Sequence, residues 1–126
     1  MKNGKPLIIY VEDDADFRDA MRVVLESHGY SLVEAATGEE GLRQFTVHQP
    51  DLVIVDLMME EVDSGTSMVR DLKLAGCQVP IVVASSVGDA LEANTDYTAL
   101  GLAGVLQKPL DFDNLLALLE SKLGKR

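Results

Sequence analysis

The uninterrupted apolar run Leu52–Val55, which ends in Asp56 and resumes at Leu57, constrains this chain more than any other stretch. Four apolar residues in succession, with no alternation, suit a strand buried on both faces. A charge in the middle of such a strand is costly, so Asp56 marks its carboxyl end. In open α/β sheets that edge is where ligands bind.

Other segments repeat the pattern. Leu7–Val11 is a second apolar run and ends in Glu12, Asp13 and Asp14. Helical spacing follows from Asp16, with Phe17, Ala20, Met21, Val24 and Leu25 on one face and Gly29 as the stop. Residues 32–36 alternate more and suit a less buried strand. Thr37 and Glu40 form a capping box for a helix that turns Leu42 and Phe45 inward. A helix placing Met68, Leu72 and Ala75 inward stops at Gly76, with Cys77 a small filler before the next strand. Residues 79–84 form that strand, with Pro80 near its start, and lead into Ser85 and Ser86. A helix with a thin apolar face covers about 89–100. Residues 103–107 form a last strand before Lys108 and Pro109. Asp111 caps a final helix with Phe112, Leu115, Leu116, Leu119 and Leu123 as its stripe.

Strands alternating with helices imply a parallel sheet with right-handed crossovers and helices on both faces. The expected fold is α/β: five parallel strands in the order 2-1-3-4-5, flavodoxin-like, the order reversing between strands one and three. One domain is expected over residues 1–126, with no effector domain after Arg126.

Charge and cysteine use narrow the function. Acids outnumber bases 21 to 11, a net charge of −10, which argues against direct nucleic-acid binding and against anionic membranes. The single Cys77 excludes an internal disulfide and a cysteine-based zinc site. No apolar run approaches the ~20 residues that span a bilayer, and the start lacks a secretory signal's apolar core. A cytoplasmic location is expected.

Parallel strands present their carboxyl ends at one edge, so Glu12, Asp13 and Asp14 arrive beside Asp56, Ser85 from the fourth strand and Lys108 from the fifth. Two like charges ~4 Å apart at an effective dielectric of ~20 repel by about 4 kcal/mol. Crowded carboxylates therefore call for a hard divalent cation, and Mg²⁺ takes one or two carboxylates plus waters and phosphate. Cation, lysine and hydroxyl around one carboxylate suit phosphoryl transfer, with Asp56 as nucleophile giving an aspartyl phosphate. Asp14 and Asp16 are expected at the helix N-terminus, where the macrodipole favours acids.

The segments IIYVEDD (Ile8–Asp14), DLVIVDLMM (Asp51–Met59), PIVVASS (Pro80–Ser86) and QKP (Gln107–Pro109) resemble, in this order, a response-regulator receiver domain over essentially the full chain. The resemblance implies phosphoryl transfer to Asp56 from the phosphohistidine of a histidine kinase or histidine phosphotransfer protein. It implies Mg²⁺ held by Asp13 and Asp56, by Glu12 through water, and by the Met58 backbone carbonyl. Ser85 bonds the phosphoryl oxygen, Lys108 pairs with it, and the Lys108–Pro109 bond is cis. The product is a switch of partner binding, not a turnover enzyme, and its protein target is expected on the 89–123 face: the 89–100 helix, Val105 and the outer side of the last helix, including Leu118. Glu60 and Glu61 stand where the family has proline and often glycine, and Val105 where an aromatic is common. A pseudo-receiver that binds its partner regardless of phosphorylation is the alternative. An aspartate-nucleophile phosphatase is disfavoured because Met58 stands where such enzymes place a second aspartate.

Overall fold

The computed structural model describes residues 4–56, 70–86, 104–108 and 111–123, and for Ser85, Ser86, Val105, Gln107 and Lys108 the backbone only. Met58, Glu60, Glu61, Met68, the 89–100 helix and Pro109 lie outside the described residues. Five strands, β1 (Leu7–Val11), β2 (Ser31–Ala35), β3 (Leu52–Asp56), β4 (Ile81–Ser86) and β5 (Gly104–Lys108), form one parallel sheet. Their order is β2-β1-β3-β4-β5, as the alternation predicts. The described helices are α1 (Ala15–Ser27), α2 (Gly38–His48), a helical segment over 70–74 and α3 (Phe112–Leu123).

The two-residue period of the strands sorts their side chains onto two cores. Ile9 and Val11 of β1, Val53 and Val55 of β3, and Ile81 and Val83 of β4 share one face with Leu72, Cys77 and, from α2, Leu42 and Phe45. Ile8, Tyr10, Leu52, Ile54 and Val82 share the other with Met21 and Leu25 of α1 and Leu115 and Leu119 of α3. β1 and β3 are buried at every position. Helices therefore cover both faces, which is why these strands carry unbroken apolar runs.

Local signals set the helix limits. Asp14 caps α1, its Oδ1 accepting from the amides of Asp16 at 2.8 Å and Phe17 at 3.4 Å. Gly29 at φ +90° closes it, with Gly29 N–H on the Glu26 carbonyl and Tyr30 N–H on that of Leu25. Leu25 and Tyr30 meet in the core beneath this turn. Gly76 at φ +88° repeats the device, with Cys77 N–H on Leu72 O and both side chains in the opposite core. Thr37 Oγ1 accepts from Glu40 N at 3.0 Å, and Asp111 Oδ1 from Asp113 N at 2.9 Å.

Four expectations are corrected. Phe17 is 43% exposed and Ala20 is exposed, because the first turns of α1 stand at the rim where β1 has already ended; Met21 and Leu25 carry the contact. Ala75 is exposed, since the chain is leaving its helix toward Gly76. β4 begins at Ile81, two residues later than the apolar run, as Pro80 contributes only a carbonyl, accepting Val53 N–H at 3.0 Å. Leu118 is not on the outer side of the last helix: it packs on the core, close over Gly104 of β5.

Candidate functional site

The pairing register explains why the acids meet. Tyr10 lies opposite Ile54, so the next position on that face, two residues further along each strand, brings Glu12 and Asp56 side by side. Asp56 is the last residue of β3 and has no exposed surface; Glu12 follows the last residue of β1 and is 1% exposed. Asp13 reaches solvent beside them. One carboxylate oxygen from each of Glu12, Asp13 and Asp56 lies within 4.8 Å of the others, the sole such acidic group of three among the described residues. Asp14 is outside this group and serves as the α1 cap.

β4 and β5 end at the same edge. Ala84 pairs with Asp56, Ser85 and Ser86 extend one and two residues further, and Ser86 pairs with Lys108, the last residue of β5. Their backbones are thus at the rim that holds the three acids; Met58 is not among the described residues.

Glu12 is fixed at each of its polar atoms. Its amide donates to Ala35 O at 2.9 Å, and its carbonyl accepts from Arg18 Nη1 at 2.6 Å. Oε1 accepts from the Tyr10 hydroxyl at 3.2 Å, and Oε2 from the Asp14 amide at 3.2 Å. Arg18 is held in turn by Glu34 of β2, Nε to Oε1 at 3.2 Å, and Glu34 also binds Arg22. Burial pushes the Tyr10 phenol far above its ordinary pKa, and the negative charges of Glu12 and Asp56 add to the shift. The phenol therefore stays protonated and donates. Sequence reasoning missed Tyr10, Arg18 and Glu34. The signal for Tyr10 was there: the hydroxyl-bearing residue of an otherwise apolar strand, two positions before the first acid and so on its face.

The donor set fits a hard cation. Three carboxylates offer oxygen alone, at spacings an ion of Mg²⁺ size bridges directly or through water. None of the helices among the described residues is long and apolar enough to cross a membrane.

The model of the response regulator receiver domain family matches residues 8–120. The transcriptional regulatory protein ZraR of Escherichia coli is 34% identical over 116 residues, 92% of this chain. The probable transcriptional regulator ycf27 of Cyanophora paradoxa is 32% identical over 123 residues, 98% of this chain. This chain spans 26% of the first relative's length and 50% of the second's. A response regulator receiver protein from Pseudomonas putida superposes with a TM-score of 0.79 at 32% identity, covering 94% of this chain and 98% of that one. The Vibrio cholerae chemotaxis protein CheY4 shares the fold, with a TM-score of 0.84 at 24% identity over 95% of this chain and 100% of that one.

Proposed function

From the premise that the chain belongs to the response regulator receiver domain family of two-component signalling, we propose that it is a Mg²⁺-dependent phosphorylation switch with Asp56 as the phosphoacceptor. The observation that carries this reading is the convergence of Glu12, Asp13 and Asp56 within 4.8 Å at the carboxyl edge, with Asp56 at the end of the central strand. An Asp56 oxygen attacks the phosphorus of a phosphohistidine on a histidine kinase or phosphotransfer protein. The new P–O bond forms as the P–N bond breaks, and the released imidazole takes a proton from solvent.

Asp13 and Asp56 would hold the ion directly, Glu12 through water, and the Met58 carbonyl would complete the protein's share. When bound, the ion neutralises the crowded acids and orients the phosphoryl oxygens. Ser85 donates its hydroxyl to a phosphoryl oxygen, and the Lys108 ammonium pairs with another. The output is altered binding of a protein target. With −10 net charge, DNA contact is not assigned to this segment, although its relatives are named transcriptional regulators.

The test is incubation with a small-molecule phosphodonor, with and without Mg²⁺, followed by intact mass. Wild type should gain one phosphoryl group only with Mg²⁺, and Asp56→Asn none. Equal labelling of the two proteins would overturn the assignment.

A further inference from the structure

Glu12 is held at its amide, its carbonyl and both carboxylate oxygens, by Ala35, Arg18, Tyr10 and Asp14 respectively. Of the two bonds to the carboxylate, the one from Tyr10 comes from a side chain inside the core. The ring is wholly buried in β1, between Glu34 and Ile54 on the flanking strands and in one cluster with Met21 and Leu25. A ring packed in this way has little room to swing. Its hydroxyl is therefore a fixed donor, and the Glu12 oxygen it holds is fixed with it.

Orientation of that carboxylate bears on which ion the site prefers. Ca²⁺ takes six to eight oxygens at roughly 2.3–2.6 Å and readily uses both oxygens of one carboxylate. Mg²⁺ demands an octahedron at roughly 2.0–2.1 Å and keeps several of its waters. To chelate an ion through both oxygens, Glu12 has to bring the remaining lone pairs of Oε1 and Oε2 to it together, while the Tyr10 hydroxyl and the Asp14 amide hold the orientation of the carboxylate. Held as it is, Glu12 is suited to accept hydrogen bonds from an ion's water shell.

We propose that Tyr10 is a positioning residue that sets the ion preference of this site: by holding Glu12 Oε1 it favours a small hydrated ion of the Mg²⁺ type and disfavours chelation of Ca²⁺. The inference rests on the metal-dependent reading above. Asp13 and Asp56 supply the direct contacts, and Tyr10 acts through Glu12.

The experiment needs no phosphodonor. Mg²⁺ and Ca²⁺ are titrated separately into the full chain by calorimetry, for wild type and Tyr10→Phe. Removing a hydrogen bond to a ligating residue commonly changes metal affinity by about 10–100-fold. The Mg²⁺-over-Ca²⁺ affinity ratio of Tyr10→Phe should accordingly fall about tenfold, through weaker Mg²⁺ and unchanged or tighter Ca²⁺ binding. A uniform loss for both ions, or an unchanged ratio, would overturn the proposal.

A second measurement keeps Tyr10 in place. In a Tyr30→Phe, Tyr97→Phe background Tyr10 is the remaining tyrosine, as the chain has three. Its near-ultraviolet absorbance should shift as Mg²⁺ draws charge from Glu12; no shift at saturating Mg²⁺ counts against the proposal. If wild type binds no Mg²⁺ at all, the phosphoacceptor reading itself falls. Mg²⁺ binding with an unaltered ratio removes only the role of Tyr10.

Discussion

Tyr10 also ties stability to pH. Its phenol is neutral when folded and lies well above the ordinary value of 10.0, through burial first and then the charge of Glu12. Above about pH 10 the unfolded chain loses this proton while the folded chain keeps it, so the native state binds more protons and stability falls as pH rises. The stabilisation is thus fully present below pH 10 and is lost above it. Wild type should lose more unfolding free energy than Tyr10→Phe between pH 9 and pH 11, measured by urea denaturation; parallel profiles would contradict this. Arg18→Ala removes a charged donor from the Glu12 carbonyl and a partner from Glu34, and should cost about 1.5–3 kcal/mol. Chemical denaturation at neutral pH checks it. Glu12, Asp13 and Asp56 were legible because strand ends fall where apolar runs meet acids. Tyr10 left a two-residue trace that went unread, whereas a bond such as that of Arg18, from a helix back to a preceding carbonyl, leaves no periodic trace.

Elements start and stop where backbone groups find partners. Gly29 and Gly76 sit in the left-handed region, and a Cβ at Gly76 would meet no atom within 4 Å, so alanine there brings strain without a clash. Gly76→Ala should therefore cost about 1–2 kcal/mol from backbone conformation alone. Gln49 ends α2 at φ +50° without being glycine. Gln49→Gly should raise stability by up to about 1 kcal/mol by relieving the left-handed backbone; paired urea curves measure both variants. Sequence patterns located every described strand but placed ends only to within a residue or two. A strand ends where pairing ends: β4 gains Ser85 and Ser86 because β5 continues beside them to Gln107 and Lys108. Leu118 was misjudged for a similar reason, because the bare backbone of Gly104 makes a space on the sheet that no helical period reports.

For the molecule as a whole, strand order was readable because alternation and handedness leave few ways to wind five parallel strands. What no pattern reported was how tightly the three acids gather in a protein of net charge −10. An ion that binds only the folded chain stabilises it by about 2.7 kcal/mol at a hundredfold excess over Kd. Mg²⁺ should accordingly raise the melting temperature of wild type, chelation should reverse the rise, and Asp56→Asn should show a smaller response. The position of β1, flanked by β2 and β3, has a temporal consequence. On the ribosome, both neighbours of β1 are available once residue 56 has emerged, whereas β5 is synthesised from residue 104 onward. During that interval the newborn polypeptide can bring Glu12, Asp13 and Asp56 together before residue 108 is made, with dissolved cations at hand to offset their repulsion.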